Sequence, residues 1–220
     1  MITRLKLLAP YIYSFIFCLR YLPLHQAVHI PVLIHPSVKI DCHSRGFIKF
    51  KGTLKHAMLV FGFKGTTGVS NCQSILSVQK GGSLIVGEGV RMARGTRVVI
   101  GQNAVVEIGE NFWCNGDCFF YCTTKITIGE NNMYGWNISF NTTDGHYVYD
   151  NGVQKPMEGE IAIGNHVWIA SNCIIAKNTF IADDCVLAQQ SLVGKRFEQP
   201  KCLIGGMPAK VIKDNFTWSA

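Results

Sequence analysis

Residues 163–194 read IGNHVWIASNCIIAKNTFIADDCVLAQQSLVG, and the pattern in this stretch repeats every six residues. Each repeat starts with a branched aliphatic residue that is followed by Gly or Ala: Ile163, Ile169, Ile175, Ile181, Leu187 and Val193. A period of six fits neither an α-helix nor a single amphipathic strand. It is typical of a parallel β-helix, in which three hexads form one triangular coil. We therefore expect the aliphatic residue to point inward and the small residue after it to lie at a corner, where backbones come close.

A related motif extends the repeat towards the N-terminus. The order aliphatic, any residue, aliphatic, Gly occurs at residues 84–87, 98–101, 106–109, 126–129 and 161–164. A polar pair usually follows the glycine and suits a corner. Residues 25–80 keep only weak hexad order, which we interpret as irregular first coils of the same helix. The predicted division is a helical segment at 1–24, irregular coils at 25–80 and a hexapeptide-repeat β-helix at 81–220.

The N-terminal segment, residues 1–24, is apolar and aromatic, with Arg4, Lys6 and Arg20 interspersed. Pro10 interrupts it, and the apolar stretch is shorter than the roughly 20 residues that span a bilayer. No small-residue cleavage site follows, so it does not resemble a signal peptide. Two placements fit: a helix that closes the open end of the solenoid, or an interfacial helix in peripheral contact with the membrane. Both need the same amphipathic pattern, and the sequence does not separate them.

The composition narrows the class of partner. The formal charge of +7 predicts attraction to anions, such as a phosphorylated cofactor, an anionic glycan or an anionic membrane surface. Nucleic acid is not expected as a partner, because no basic run is interleaved with aromatic residues. The nine cysteines show neither CxxC nor zinc-ligand spacing, so no metal site is predicted. Buried, reduced thiols are expected, which fits a cytoplasmic protein, at the inner face of the membrane if residues 1–24 bind lipid.

The repeat stops at residues 141–160, which read NTTDGHYVYDNGVQKPMEGE. A polar stretch of this length inside a solenoid predicts a loop that leaves the coil, and such insertions often form the binding face. The loop contains His146, whose imidazole has a pKa suited to a general base for a hydroxyl or an amine. Asp144, Glu158 and Glu160 are candidates to orient it. The other six histidines show no ligand spacing, and His166 is expected at an outer corner.

Several motifs in a fixed order resemble those of one family. Besides the hexads, they are Asp144-Gly145-His146 and the blocks at residues 163–170, 190–193 and 205–212. Together they resemble the hexapeptide-repeat acyltransferases, and among these the bacterial O-acetyltransferases that modify capsular or lipopolysaccharide sugars. The resemblance covers residues 86–218. It implies an all-β, left-handed parallel β-helix that forms a homotrimer, with acetyl-CoA as the acyl donor, a carbohydrate acceptor, and active sites between neighbouring subunits.

The resemblance also implies roles for individual residues. His146 would take the proton from the acceptor hydroxyl and return it to the departing thiolate. Of the three candidate carboxylates, Asp144 is the one that we predict to be catalytic with it. A backbone N–H of residues 168–171 would stabilise the oxyanion. The residues expected to bind acetyl-CoA are Trp168 near the thioester, Ala170, Ala188 and Ser191 along the pantetheine arm, and Lys195 and Lys210 at the phosphates. Two other functions stay open: N-acetylation of an amino sugar or other small amine, and a non-enzymatic binding module.

Overall fold

The computed structural model describes residues 2–65 and 72–219, and side chains from residue 8 onward within those ranges. Two helices come first, α1 (Ile2–Tyr21) and α2 (Leu24–Ala27). The strands that follow are β1 (Val32–Ile34), β2 (Lys39–Cys42), β3 (Ile48–Phe50), β4 (Leu59–Phe63), β5 (Ile75–Val78), β6 (Ser83–Val86), β7 (Val90–Ala93), β8 (Arg97–Ile100), β9 (Val105–Ile108), β10 (Trp113–Cys114), β11 (Phe119–Cys122), β12 (Lys125–Ile128), β13 (Met133–Tyr134), β14 (Ser139–Asn141), β15 (Val148–Asp150), β16 (Val153–Lys155), β17 (Ile161–Ile163), β18 (Trp168–Ile169), β19 (Ile174–Ala176), β20 (Phe180–Ile181), β21 (Val186–Leu187), β22 (Leu192–Val193), β23 (Arg196–Phe197), β24 (Leu203–Gly206) and β25 (Ala209–Lys213).

The chain winds through three long sheets in turn. Sheet 1 has the order β1-β4-β7-β10-β13-β18-β21-β24-β25, sheet 2 the order β2-β5-β8-β11-β14-β19-β22, and sheet 3 the order β23-β20-β17-β12-β9-β6-β3. Neighbouring strands are parallel, except that β25 pairs antiparallel with β24. Strands β15 and β16 form a separate antiparallel hairpin. The expected fold, a left-handed parallel β-helix with an N-terminal helical segment, an extruded loop and a short tail, is confirmed.

The aliphatic hexad positions form the core. Ile108, Ile128, Ile163 and Ile181 are register partners on successive strands of sheet 3, and all four are buried. Each such side chain contributes about 1.5–3 kcal/mol by leaving water. Because parallel strands align equivalent residues, one inward position per hexad becomes a continuous apolar column. The predicted inward direction of the aliphatic residues is therefore confirmed.

The corners explain the small residues and the polar pairs. A Cβ on Gly129 would lie 2.6 Å from the carbonyl oxygen of Gly164, so the stacked corner leaves no room for a side chain. Asn131 and His166 adopt φ values of 58° and 52°. This left-handed conformation is uncommon outside glycine, and Asn, Asp and His tolerate it better than most residues. The corner chemistry expected from the sequence is present.

The first helix closes the N-terminal end of the coil. The buried Ser14 hydroxyl accepts a hydrogen bond from the Ile34 N–H of β1 at 2.9 Å and donates to the Pro10 carbonyl at 2.7 Å. The Arg45 guanidinium donates to the carbonyl of Leu22 at 2.9 Å, which satisfies a free helix-end acceptor. The opposite face of α1 remains exposed at Leu8, Tyr11, Ile12, Phe15, Ile16 and Leu19. The Arg4 and Lys6 side chains lie outside the described residues.

Most of the cysteines are buried, free thiols. Seven are buried: Cys18, Cys114, Cys118, Cys122, Cys173, Cys185 and Cys202. Burial raises the pKa of the Cys42 thiol to about 12 and that of the Cys122 thiol to about 11. Both thiols are therefore protonated at neutral pH and poor nucleophiles.

Candidate active site

The loop that contains His146 begins and ends on paired backbone. Thr143 forms an antiparallel bridge with Glu158, and the Asp144 N–H donates to the Met157 carbonyl at 2.9 Å. The Gly159 N–H donates to the Thr142 carbonyl at the same distance. Beyond this base the chain continues into the β15–β16 hairpin, so the predicted loop has regular structure of its own. Its base is held firmly against the coil.

Lys177 joins the two sides of the loop. Its Nζ lies 2.8 Å from Asp144 Oδ2 and also contacts the carbonyl of Pro156. The lysine side chain is 16% exposed and the aspartate 34%, so the pair is partly shielded from water. The Asp144 carboxylate is thus paired with Lys177. Sequence analysis missed Lys177, because a lysine at a polar solenoid corner has no distinguishing signal.

His146 is exposed just above this base. Among the residues that the structure describes, none forms a hydrogen bond with its ring. The imidazole can therefore meet a substrate or a neighbouring subunit without breaking a bond within its own chain.

A groove of about 420 Å³ on the outer face of sheet 1 brings together Trp168 and Ala170. Trp136, Ser171 and Trp218 also line it, and Trp168 is 37% exposed. The N–H groups of Trp168 and Ala170 donate to carbonyls of the next coil at 3.0 and 2.9 Å. Those two groups are therefore unavailable to an oxyanion. The groove offers an aromatic wall and a small-residue floor, which suit a flexible thioester arm.

Of the residues expected along the pantetheine arm, Ala170 lines the groove, whereas Ala188 and Ser191 contact the C-terminal tail. The Ser191 hydroxyl is buried, donates to the Ala188 carbonyl at 2.6 Å and accepts from the Gly206 N–H at 3.2 Å. A Cβ on Gly205 would lie 2.9 Å from the Ala188 Cβ, so β24 packs closely over Ala188. Both residues anchor the tail, and the Ser191 hydroxyl is used within the fold.

Lys195 and Lys210, the two lysines expected at the coenzyme phosphates, are exposed, but they lie on different parts of the coil. Lys195 lies between β22 of sheet 2 and β23 of sheet 3, with its Nζ 5.1 Å from the centre of the Phe197 ring. Lys210 lies on β25, which extends sheet 1. Neither lines the Trp168 groove. Their roles at the phosphates stay predictions.

A histidine–aspartate pair is formed by His166. Its Nδ1 lies 2.8 Å from Asp184 Oδ1, and its ring stacks on Trp218 with centroids 4.4 Å apart. The Trp218 indole N–H donates to the His166 carbonyl at 2.8 Å. His166 is thus half-buried beneath the tail and positions one wall of the groove. Sequence analysis predicted an outer corner for His166 but did not identify its partner Asp184, which is 18 residues away.

His146 and the groove lie on different sides of the coil. The hairpin leaves between β14 of sheet 2 and β17 of sheet 3, whereas Trp168 faces outward from sheet 1. In a triangular solenoid the corner between sheets 2 and 3 is opposite sheet 1. A single chain therefore holds the two predicted parts of the site apart.

Comparisons with known proteins agree with this architecture. No family model matches the chain. An uncharacterized 24.8 kDa protein in the cps region of Klebsiella pneumoniae is 34% identical over 193 residues, which cover 85% of this chain and 81% of that protein. The polysialic acid O-acetyltransferase of Escherichia coli O1:K1 / APEC is 34% identical over 130 residues, which cover 57% of this chain and 39% of that enzyme. The crystal structure of the polySia specific acetyltransferase NeuO shares the fold, with a TM-score of 0.56 at 21% identity over 84% of this chain and 90% of that one.

Proposed function

Because the chain belongs to the hexapeptide-repeat acyltransferases, we propose that it transfers an acetyl group from acetyl-CoA to a sugar hydroxyl of a bacterial surface polysaccharide or its precursor. The observation that carries this proposal is the loop of residues 141–160. It interrupts a regular coil, its base is held by backbone hydrogen bonds and Lys177, and it presents an unencumbered imidazole, that of His146. A loop whose base is held in this way, with one basic side chain left free to meet a substrate, suits proton transfer.

In the proposed mechanism, His146 takes the proton of the acceptor hydroxyl as the oxygen attacks the acetyl carbonyl. The tetrahedral intermediate collapses, the carbon–sulfur bond breaks, and the imidazolium returns the proton to the coenzyme A thiolate. No covalent enzyme intermediate is needed, since positioning and base catalysis carry the reaction. Asp144 acts by holding the loop through Lys177 rather than by contacting the imidazole. The scheme as written uses no metal ion.

A homotrimer would complete the site. The hairpin exposes Tyr147, Tyr149 and Val153, each about 60% exposed. An isolated two-stranded hairpin is marginally stable in water, so these side chains need a surface to pack on. Three-fold association would place the His146 hairpin of one subunit beside the Trp168 groove of the next. Acetyl-CoA would then lie along the cleft between subunits, with Trp168 near the thioester, Ala170 along the pantetheine arm, and Lys195 and Lys210 as the candidates at its phosphates.

We further infer that the enzyme works in the cytoplasm, at the inner face of the membrane. Leu8, Ile12 and Ile16 form an exposed apolar row on α1, and the first 87 residues contain ten lysines and arginines but one carboxylate side chain, Asp41. An exposed apolar helix face in a basic part of the chain favours contact with anionic lipid. Among the described residues, no helix is long and apolar enough to cross a bilayer.

Sedimentation with phosphatidylglycerol vesicles tests the membrane contact. The wild type and Ile212→Asp are expected to sediment with the vesicles, and Ile12→Asp/Ile16→Asp is not. Equal binding by all three would contradict the inference.

The activity is tested by thiol release from acetyl-CoA with a panel of capsular glycans, nucleotide sugars and amino sugars. His146→Ala is expected to lower kcat by roughly 10²–10⁴-fold, the usual contribution of a general base, with an unchanged Tm. His43→Ala, which removes another exposed histidine, serves as the matched control. Loss of activity and of the acidic limb of the pH–rate profile in His166→Ala, with His146→Ala fully active, would assign the base to the His166–Asp184 pair instead.

The panel also separates the other two functions. Release that depends on amines alone would replace O-acetylation by N-acetylation. Absence of release with every acceptor, together with no coenzyme A binding by calorimetry, would contradict an enzymatic role and favour a binding module.

A further inference from the structure

A second groove lies at the N-terminal end of sheet 1, where Pro10 and Tyr11 of α1 stand over the strands. Its volume is about 750 Å³. Three cationic side chains and two histidines line it: Lys64, Arg91, Arg94, His35 and His56. No carboxylate occurs in the described lining.

The cations of this groove lack partners within the described chain. None of the ion pairs between described residues involves Lys64, Arg91 or Arg94. The Nε of Arg94 is buried, and no described group accepts a hydrogen bond from it. Buried donors are almost always satisfied, so an acceptor other than the described residues, such as a bound ligand, is expected there. Burial, and secondarily the charge of Arg94, lowers the pKa of His35, in keeping with the excess of cationic side chains in this groove.

The groove also has aromatic walls. Trp113 is 38% exposed and Tyr11 about half exposed, and both line the same space as the arginines. Flat aromatic faces beside a few directed polar groups are the usual composition of a site for a ring-shaped, partly polar ligand. A sugar ring that carries an acidic group has this combination of a C–H face and a negative charge.

The strand register connects this groove to the proposed active site. Arg91, Trp113, Met133 and Trp168 are register partners on four successive strands, β7, β10, β13 and β18. Neighbouring strands are about 4.8 Å apart, so Arg91 and Trp168 are separated by roughly 14 Å along the surface. Arg91 and Trp113 line the basic groove, whereas Met133 and Trp168 line the other groove. The Trp113 indole N–H donates to Asn115 Oδ1 at 3.2 Å and so links the two linings.

We propose that the basic groove binds acidic sugar residues of the acceptor, carboxylated or phosphorylated, and thereby selects an anionic glycan. The proposal rests on the proposed acetyltransferase function, because it assigns the groove to that enzyme's acceptor. An extended glycan bound across Trp113 would have one of its neighbouring sugar units close to Trp168. Acidic units would be held by Arg91 and Arg94, and the hydroxyl to be acetylated would lie further along the chain.

Binding is measured without acetyl-CoA, so the result does not depend on catalysis. The full chain is titrated by calorimetry with oligogalacturonate, oligosialate and a phosphorylated maltooligosaccharide, and with neutral maltohexaose. At least one acidic probe is expected to bind more tightly than maltohexaose, and its affinity should fall with ionic strength. Arg91→Ala and Arg94→Ala are expected to weaken it roughly tenfold, as for loss of a charge-assisted hydrogen bond. Lys80→Ala, which removes an exposed charge outside the groove, is the control.

Equal affinity for neutral and acidic probes, no binding of any acidic probe, or full affinity in the Arg91→Ala protein would overturn the proposal. Arg91 is exposed, so its variant should fold even if the Arg94 variant does not. In the turnover assay, both arginine variants should raise the KM of an acidic acceptor and leave the KM of acetyl-CoA unchanged. Efficient acetylation of neutral glycans with no preference for acidic ones would leave the proposed function standing and refute this inference alone.

Discussion

Replacing Lys177 with methionine is expected to loosen the His146 loop without unfolding the coil. The lysine Nζ holds Asp144 at 2.8 Å and contacts the Pro156 carbonyl, one on each side of the loop. Methionine keeps most of the apolar stem and removes the charge and the donors. The loss should therefore fall on the position of the loop rather than on core packing.

The size of the effect follows from the exposure of the pair. A hydrogen bond to a charged group contributes about 1.5–3 kcal/mol when shielded, and an exposed ion pair about 0–1 kcal/mol. With Lys177 16% and Asp144 34% exposed, about 1–2 kcal/mol is reasonable after allowing for screening by solvent. If this free energy positions His146, kcat falls by roughly 5- to 30-fold. The free energy of unfolding falls by no more than this amount, so the Tm shift should stay below about 8 °C.

The assay combines steady-state thiol release with amide hydrogen exchange of residues 142–159. In Lys177→Met, kcat should fall, and the N–H groups of Asp144 and Gly159 should exchange faster. Lys51→Met is the matched control, because Lys51 forms a 2.6 Å ion pair with Glu107 on sheet 3, far along the coil from the loop. Unchanged kcat together with unchanged exchange in Lys177→Met would refute the view that this lysine positions the loop.

Three further predictions concern the core, a corner and the basic groove. Ile175→Ala should lower the free energy of unfolding by about 2–5 kcal/mol in a denaturant titration, since the side chain is fully buried, and a loss below 1 kcal/mol would contradict the assigned inward direction. Gly129→Ala should lower Tm far more than Gly194→Ala. A Cβ at residue 129 would lie 2.6 Å from facing backbone, whereas one at residue 194 would meet only a side chain at 3.7 Å. Equal Tm values for the two variants would count against close stacking at the corners. By NMR titration, the pKa of His35 should lie below the usual value of about 6.5 and should rise in Arg94→Ala. The folded state then takes up this proton less readily than the unfolded chain, so the free energy of unfolding should decrease as the pH falls through about 6.5. A normal pKa for His35 would show that the groove is open to water.

The positions of the buried, inward-facing side chains follow from the sequence alone. Ile163, Ile169 and Ile175 begin successive hexads, and all three side chains are buried. The period alone predicted the coil, because burial in a solenoid depends on position within the repeat and little on distant residues. The interruption at residues 141–160 was visible for the same reason, since a regular pattern makes its own break conspicuous.

The contacts between outward-facing residues could not be read in this way. Trp113, Met133, Trp168 and Val186 are register partners, yet the steps between them are 20, 35 and 18 residues. The number of residues in each coil decides which outward side chains become neighbours, and exposed positions carry no periodic constraint. His166 and Asp184, 18 residues apart, meet for this reason.

The sequence by itself determined the coil, its corners and the candidate base His146, because a repeat of buried positions is a local property of the chain. Only the tertiary structure decided that Lys177 pairs with Asp144, that His146 and Trp168 lie on different sides of one subunit, and that residues from α1 and strands of four coils join in a basic groove. These arrangements depend on how coils of unequal length stack and where the helix at their end is placed. That information is distributed over the whole chain, so no single stretch of sequence contains it.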